Sequence, residues 1–209
     1  MYEGERLNSI SHLIGAVLAL VGLGALLTIG LQSGDPWVLA SFTVFGITMV
    51  LLYTMSTLYH SFSPPGLKKL FQIFDHVSIY LLIAGSYTPF MLVTLRDGNG
   101  WLILSIVWAM ALVGILSEIF LSGRAVKAFQ IAAYLAMGWA CVYDLESLRQ
   151  ALPSAGFDWL VYGGLAYTTG VVFYLLDKIA KLSYAHGAWH LFVVAGSLCH
   201  FIAVIGYVH

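Results

Sequence analysis

Residues 10–31 read ISHLIGAVLALVGLGALLTIGL, and only Ser11, His12 and Thr28 in that run carry polar side chains. A helix needs about 20 mainly apolar residues to cross the hydrocarbon core of a bilayer, so this run is long enough to span one. Six further runs of the same kind follow, over residues 38–60, 73–95, 101–121, 126–145, 159–177 and 187–208. The joins are short and rich in residues that stop helices: Ser33-Gly34-Asp35-Pro36, Ser63-Pro64-Pro65-Gly66, Asp97-Gly98-Asn99-Gly100, Ser122-Gly123 and Pro153-Ser154-Ala155-Gly156. An outer-membrane barrel would instead need short alternating segments. The expected fold is all-α: a seven-transmembrane helix bundle, with residues 1–209 forming a single membrane domain without internal repeats.

Composition points the same way. Of 209 residues, 60% are hydrophobic and 9% charged, against about 25% charged in a soluble domain, and the mean hydropathy is +0.90. Those figures rule out disorder and leave too little charge to cover a soluble surface. A net charge of −1 gives no reason to expect nucleic acid as a partner, because phosphate binding needs a clustered basic surface. Membrane lipid is the expected environment and a candidate substrate. Cys141 and Cys199 sit inside apolar runs and read as packed thiols rather than a disulfide. The opening Met1-Tyr2-Glu3-Gly4-Glu5-Arg6 does not resemble a removable signal peptide.

Basic residues accumulate in cytoplasmic loops. One side of the bundle holds Arg6, Lys68, Lys69, Arg124, Lys127, Lys178 and Lys181, and the other holds only Arg96 and Arg149. This asymmetry predicts a multi-pass protein of the plasma (inner) membrane with a cytoplasmic N-terminus and with His209 outside. Trp37, Trp101 and Trp159 then fall at the outer ends of their spans, where an interfacial belt belongs.

Ionisable groups within a span are costly and mark candidate functional sites. By this topology Asn8, Ser11 and His12 of the first span, Ser56 and His60 of the second, Asp75 and His76 of the third, Glu118 of the fourth, and His186 and His190 of the seventh share one cytoplasmic-side layer. Residues four apart share a helix face, as Ser56 and His60 do, and His186 and His190. The zincin helix offers two imidazoles to zinc at that spacing, but its glutamate is replaced here by Gly187. A general base must then come from another helix. His60, His186 and His190 are the expected zinc ligands, and a three-imidazole set leaves a fourth position open, as catalytic zinc sites do. Asp75 is the candidate catalytic base, and Ser56 is the candidate for holding the water or a ligand.

Asn8, His12, His76 and Glu118 are candidates for supporting roles around these ligands. His12 and His76 read more simply as interfacial or helix–helix hydrogen-bonding residues. Glu118 is either a supporting acid or a partner of Arg124 and Lys127. His200 lies ~15 Å beyond His190 along the helix and is expected to pack rather than ligate. Pro89, with Gly85, Ser86 and Thr88 around it, predicts a kink. Gly22, Gly24, Gly163, Gly164 and Gly170 predict close helix contacts.

The residues Ser56-Thr57-Leu58-Tyr59-His60, Phe74-Asp75-His76, Ile79-Tyr80-Leu81-Leu82-Ile83-Ala84-Gly85-Ser86-Tyr87-Thr88-Pro89-Phe90, His186-Gly187-Ala188-Trp189-His190 and His200-Phe201, with Glu5-x-x-Asn8-x-x-x-His12, together resemble the bacterial hemolysin III family. That family belongs to the progestin and adiponectin receptor group and is related to alkaline ceramidases. The resemblance covers essentially the whole chain. It implies seven membrane helices with a cytoplasmic N-terminus. It also implies zinc on the residues matching His60, His186 and His190, and contact of the Asp75 position with the zinc-bound water. In the receptor relatives the position of His76 is not histidine.

Three functions follow as expectations. The first is a zinc-dependent hydrolase of a lipid amide or ester that enters laterally between helices. The second is a non-catalytic, lipid-sensing, membrane-homeostasis or cytolytic protein with a structural zinc joining the second and seventh spans. The third is a proton or ion translocator, against which stands the absence of repeats or matched broken helices.

Overall fold

The computed structural model describes residues 4–182 and 184–208; Met1, Tyr2, Glu3, Ser183 and His209, and with them the opening residues and the expected outer end of the chain, lie outside the described residues. The described chain is all helix: α1 (Arg6–Ser33), α2 (Pro36–Ser61), α3 (Pro65–Pro89), α4 (Gly100–Phe120), α5 (Arg124–Gly138), α6 (Leu145–Ala151), α7 (Ser154–Ala180) and α8 (Ala185–Tyr207). Seven segments are long and apolar enough to cross a membrane, the fifth running from Arg124 to Ala151 through α5 and α6. Their outward surfaces are apolar, with Val21 69% and Val113 55% exposed, as a lipid-facing surface requires.

Local chemistry sets the ends. Asp35 accepts from the Trp37 N–H at 2.7 Å and caps α2, with Pro36 in its first turn. Pro65 likewise opens α3, which therefore begins eight residues before the predicted span. The fifth span was expected as one helix over 126–145. It breaks after Gly138 into a 3-10 turn, Ala140–Asp144, before α6, since glycine is a poor helix former. Pro89 ends α3 and the chain continues as a π-turn over Phe90–Thr94, where the Leu95 N–H reaches the Phe90 carbonyl at 2.9 Å. The irregularity thus falls after the proline.

Glycine allows close approach at some of the expected places. A Cβ on Gly163 would strike the His200 ring, one on Gly170 would meet Trp189 and Phe192, and one on Gly22 would press on Phe201. Gly24 and Gly164, expected to do the same, have nothing within 4 Å and face open space. The main packing partners are α1 with α2, α7 with α8, and α2 with α3, while α1 also touches α8. That arrangement brings the start of α1, the end of α2 and the start of α8 to one end of the bundle. Cys141 and Cys199 are free thiols.

Candidate metal centre

His60 stands in the last turn of α2, and His186 and His190 stand one turn apart at the start of α8. Their ring centroids form a near-equilateral triangle: 5.1 Å from His60 to His186, 4.8 Å from His60 to His190, and 4.8 Å from His186 to His190. One ligand atom from each lies within 4.8 Å of the others, so the three can hold a metal ion.

The hydrogen bonds fix which nitrogen faces the centre. His60 Nδ1 lies 2.6 Å from Glu5 Oε2, His186 Nδ1 lies 3.2 Å from Asp177 Oδ2, and His190 Nδ1 lies 3.1 Å from the Asn8 carbonyl. A carboxylate or carbonyl only accepts, so each imidazole donates through Nδ1. That tautomer leaves the Nε2 lone pair for a metal, with the donating nitrogen oriented by oxygen in the way usual for metal-binding histidines. His60 Nε2 is itself buried without a partner, a cost that a ligand at the centre would relieve. The donor set and its orientation fit a divalent ion that favours imidazole nitrogen.

The first turn of α1 holds this arrangement in place. Asn8 Nδ2 donates to Glu5 Oε2 at 2.7 Å, and Ser9 Oγ donates to the His60 carbonyl at 2.8 Å. Burial raises the pKa of the Glu5 carboxyl, but hydrogen bonds from His60 and Asn8, with the charge of Lys68, outweigh it and bring it to about 2. A Cβ on Gly187 would run into Leu7, so glycine at the site of the zincin glutamate lets α1 close on α8. Lys181 (φ 51°) and Tyr184 (φ 66°) hold left-handed conformations between α7 and α8. They are the C-cap of α7 and the N-cap of α8, and His186 meets Asp177 across this connection.

The other expected residues are distributed around this centre. Asn8 supports two of the three histidines. Ser56 is buried one turn before His60. Asp75 lies beside Ser56 and within electrostatic reach of His60, but outside the group of three. His12 stacks on His190 at 3.7 Å, and both its ring nitrogens are buried without partners. His76 is not one of the group of three and donates to Glu118 Oε1 at 2.7 Å. Glu118 therefore serves His76, and makes no ion pair with Arg124 or Lys127 among the described residues. His200 packs against Tyr167 and points Nε2 at the Leu160 carbonyl, 3.3 Å away, as expected of a packing residue.

Glu5 and Asp177 carry roles that the sequence reading did not assign. Glu5 stood in the quoted first-span pattern and Asp177 lay at the depth of the polar layer, but neither shares a helix with the histidine it orients. Glu5→Gln is expected to weaken metal binding about 10–100-fold, the usual cost of losing such a partner, with the helical content unchanged. Competition titration against a chelator of known affinity measures it, and unchanged affinity would deny Glu5 this role.

The arrangement has counterparts in known proteins. The profile described as Haemolysin-III related matches residues 1–201. The chain belongs to that family. It is 43% identical to Hemolysin-3 of Bacillus cereus, over 98% of this chain and 91% of that protein. It is 40% identical to the Hemolysin-3 homolog of Bacillus subtilis, over 97% and 93%. It is 30% identical to the human monocyte to macrophage differentiation factor, over 97% and 83%. The haemolysin-III relatives and the seven apolar helices identify a membrane protein.

Proposed function

We propose that this haemolysin-III family member is a zinc-dependent hydrolase of a lipid amide or ester, resident in the plasma (inner) membrane with its N-terminus and histidine centre on the cytoplasmic side. The observation that carries this reading is the three-imidazole set with Nδ1 tied back and Nε2 free. Three ligands leave a position open, whereas a structural zinc site is normally closed by four protein ligands.

Two spaces lie near this centre, on successive turns of α8, and share no lining residue. A polar funnel of about 780 Å³, lined by His60 and His186 among others, opens to the bundle end. An apolar cavity of about 100 Å³ runs the other way, lined by Trp189, Val193, Leu82 and Tyr134, with no charged residue in its wall. It has room for part of an alkyl chain. Helices α5 and α7 flank it without close packing along their length, and the bond from Trp139 Nε1 to Thr168 Oγ1, 3.0 Å, bridges them. A lipid tail can enter between them.

Zinc, when bound, polarises a carbonyl and makes water more acidic. Asp75 takes a proton from the attacking water and delivers it to the leaving nitrogen or oxygen as the carbon–heteroatom bond breaks, releasing a fatty acid and an amine or alcohol. Ser56 Oγ, beside Asp75, hydrogen-bonds to the water or the carbonyl oxygen. The apolar cavity holds the tail and keeps water from the far side.

A second reading keeps zinc as a link between α2 and α8 without turnover, and the cytolytic name of the Bacillus cereus relative favours it. Purified, zinc-loaded protein assayed against matched lipid amides and esters separates the two. Chelator-sensitive release of fatty acid supports hydrolysis. No release, together with unfolding on zinc removal, supports the link.

A further inference from the structure

The residues around the funnel, taken with the hydrolase reading on which this inference rests, point to the charge of the substrate's headgroup. Arg6 from α1, Lys178 from α7 and Lys181 just beyond α7 all line the funnel that reaches His60 and His186. Its carboxylates, Glu5 and Asp177, are both committed: each accepts from a histidine, and Asp177 also holds Lys178 at 3.0 Å. Arg6 and Lys181 form no ion pair among the described residues. Of the other basic residues at this end, Lys68 pairs with Glu5 at 3.6 Å, and Lys69, Arg124 and Lys127 lie outside the funnel lining.

Charge is thus divided sharply between the two spaces. One turn of α8 separates them, with His186 and Gly187 on the funnel and Trp189 and Val193 on the apolar cavity. A lipid with its scissile group at His60 and His186 places its headgroup in the funnel that these histidines line, with Arg6, Lys178 and Lys181. A divalent ion at the centre adds to that positive field, and a concave site concentrates it.

We infer that the funnel is an anion subsite and that the substrate is an acidic lipid amide or ester, bearing a carboxylate or phosphate next to the scissile bond, rather than a neutral one. A neutral lipid such as ceramide would leave Arg6 and Lys181 without a counter-charge.

The test compares N-dodecanoylglycine with N-dodecanoylethanolamine, which share a chain and an amide and differ in headgroup charge. Binding to the zinc-loaded full chain in a neutral detergent at low salt is read from the rise in thermal unfolding temperature with ligand concentration. The anionic probe is expected to half-saturate at roughly tenfold lower concentration, with the preference shrinking as salt rises. The triple variant Arg6→Gln, Lys178→Gln, Lys181→Gln, all exposed positions, should lose the preference while keeping its zinc. Lys127→Gln, outside the funnel, should keep both. Equal half-saturation by the two probes, or a preference that survives the triple variant, would overturn the subsite. Fatty-acid release is followed separately: binding preference without release of either probe counts against hydrolysis and leaves the anion subsite standing.

Discussion

Protein purified in the presence of zinc is expected to carry a single ion per chain, and His190→Ala protein to carry none under the same dialysis. His190 supplies one of three imidazoles, is 2% exposed, and has its Nδ1 tied to the Asn8 carbonyl. Complete zinc sites in small peptides bind with ~10–16 kcal/mol, so removing a third of the ligands costs ~4 kcal/mol, or about a thousandfold in affinity. The alanine also leaves a hole against the stacked His12 ring. His60→Ala and His186→Ala should behave alike, since each removes one corner of the same triangle. His200→Ala is the control, because its ring lies ~15 Å further along α8 and packs on α7. Elemental analysis decides it: full zinc in all three alanine variants would refute the centre.

The second large effect is expected from Asp75→Asn. The carboxamide keeps the shape of the side chain but is a poor proton acceptor, so fatty-acid release should fall about 10²–10⁴-fold, the range that general acid–base groups contribute. Zinc content should stay at the wild-type level, since Asp75 lies outside the three-histidine group. That combination separates a base from a ligand. Lost zinc would make Asp75 part of the metal site, and retained turnover would return the proton-accepting role to another residue. Ser56→Ala is the natural companion, and its smaller loss should fall mainly on turnover, because Ser56 lies beside Asp75 and outside the three-histidine group.

Much of this site was legible before any coordinates. The spacing of Ser56 and His60, and of His186 and His190, is a property of one helix. Their common depth follows from counting residues inward from loops whose charges set the side. The group of three histidines needed no more than that, and the structure assembles it as expected. The roles of Glu118 and His76 were harder, because they depend on which neighbour α3 and α4 present to each other. Both residues belong to a pair of their own. The five glycines showed the same limit: Gly163 and Gly164 are adjacent in sequence, but only Gly163 meets a neighbouring ring.

Sequence by itself determined the seven spans, the side on which basic residues gather, and the three imidazoles at one depth. Run length, charge asymmetry and helical spacing are all read along a single segment. Tertiary structure alone decided which nitrogen each histidine turns inward. That choice rests on Glu5, Asn8 and Asp177, whose oxygens accept from the imidazoles and stand on or beside other helices, and hydrogen bonds between segments far apart in the chain exist only once the bundle has closed. It also decided that the charged funnel reaches His60 and His186 while the apolar cavity begins at Trp189, because a cavity is bounded by several helices and belongs to none of them.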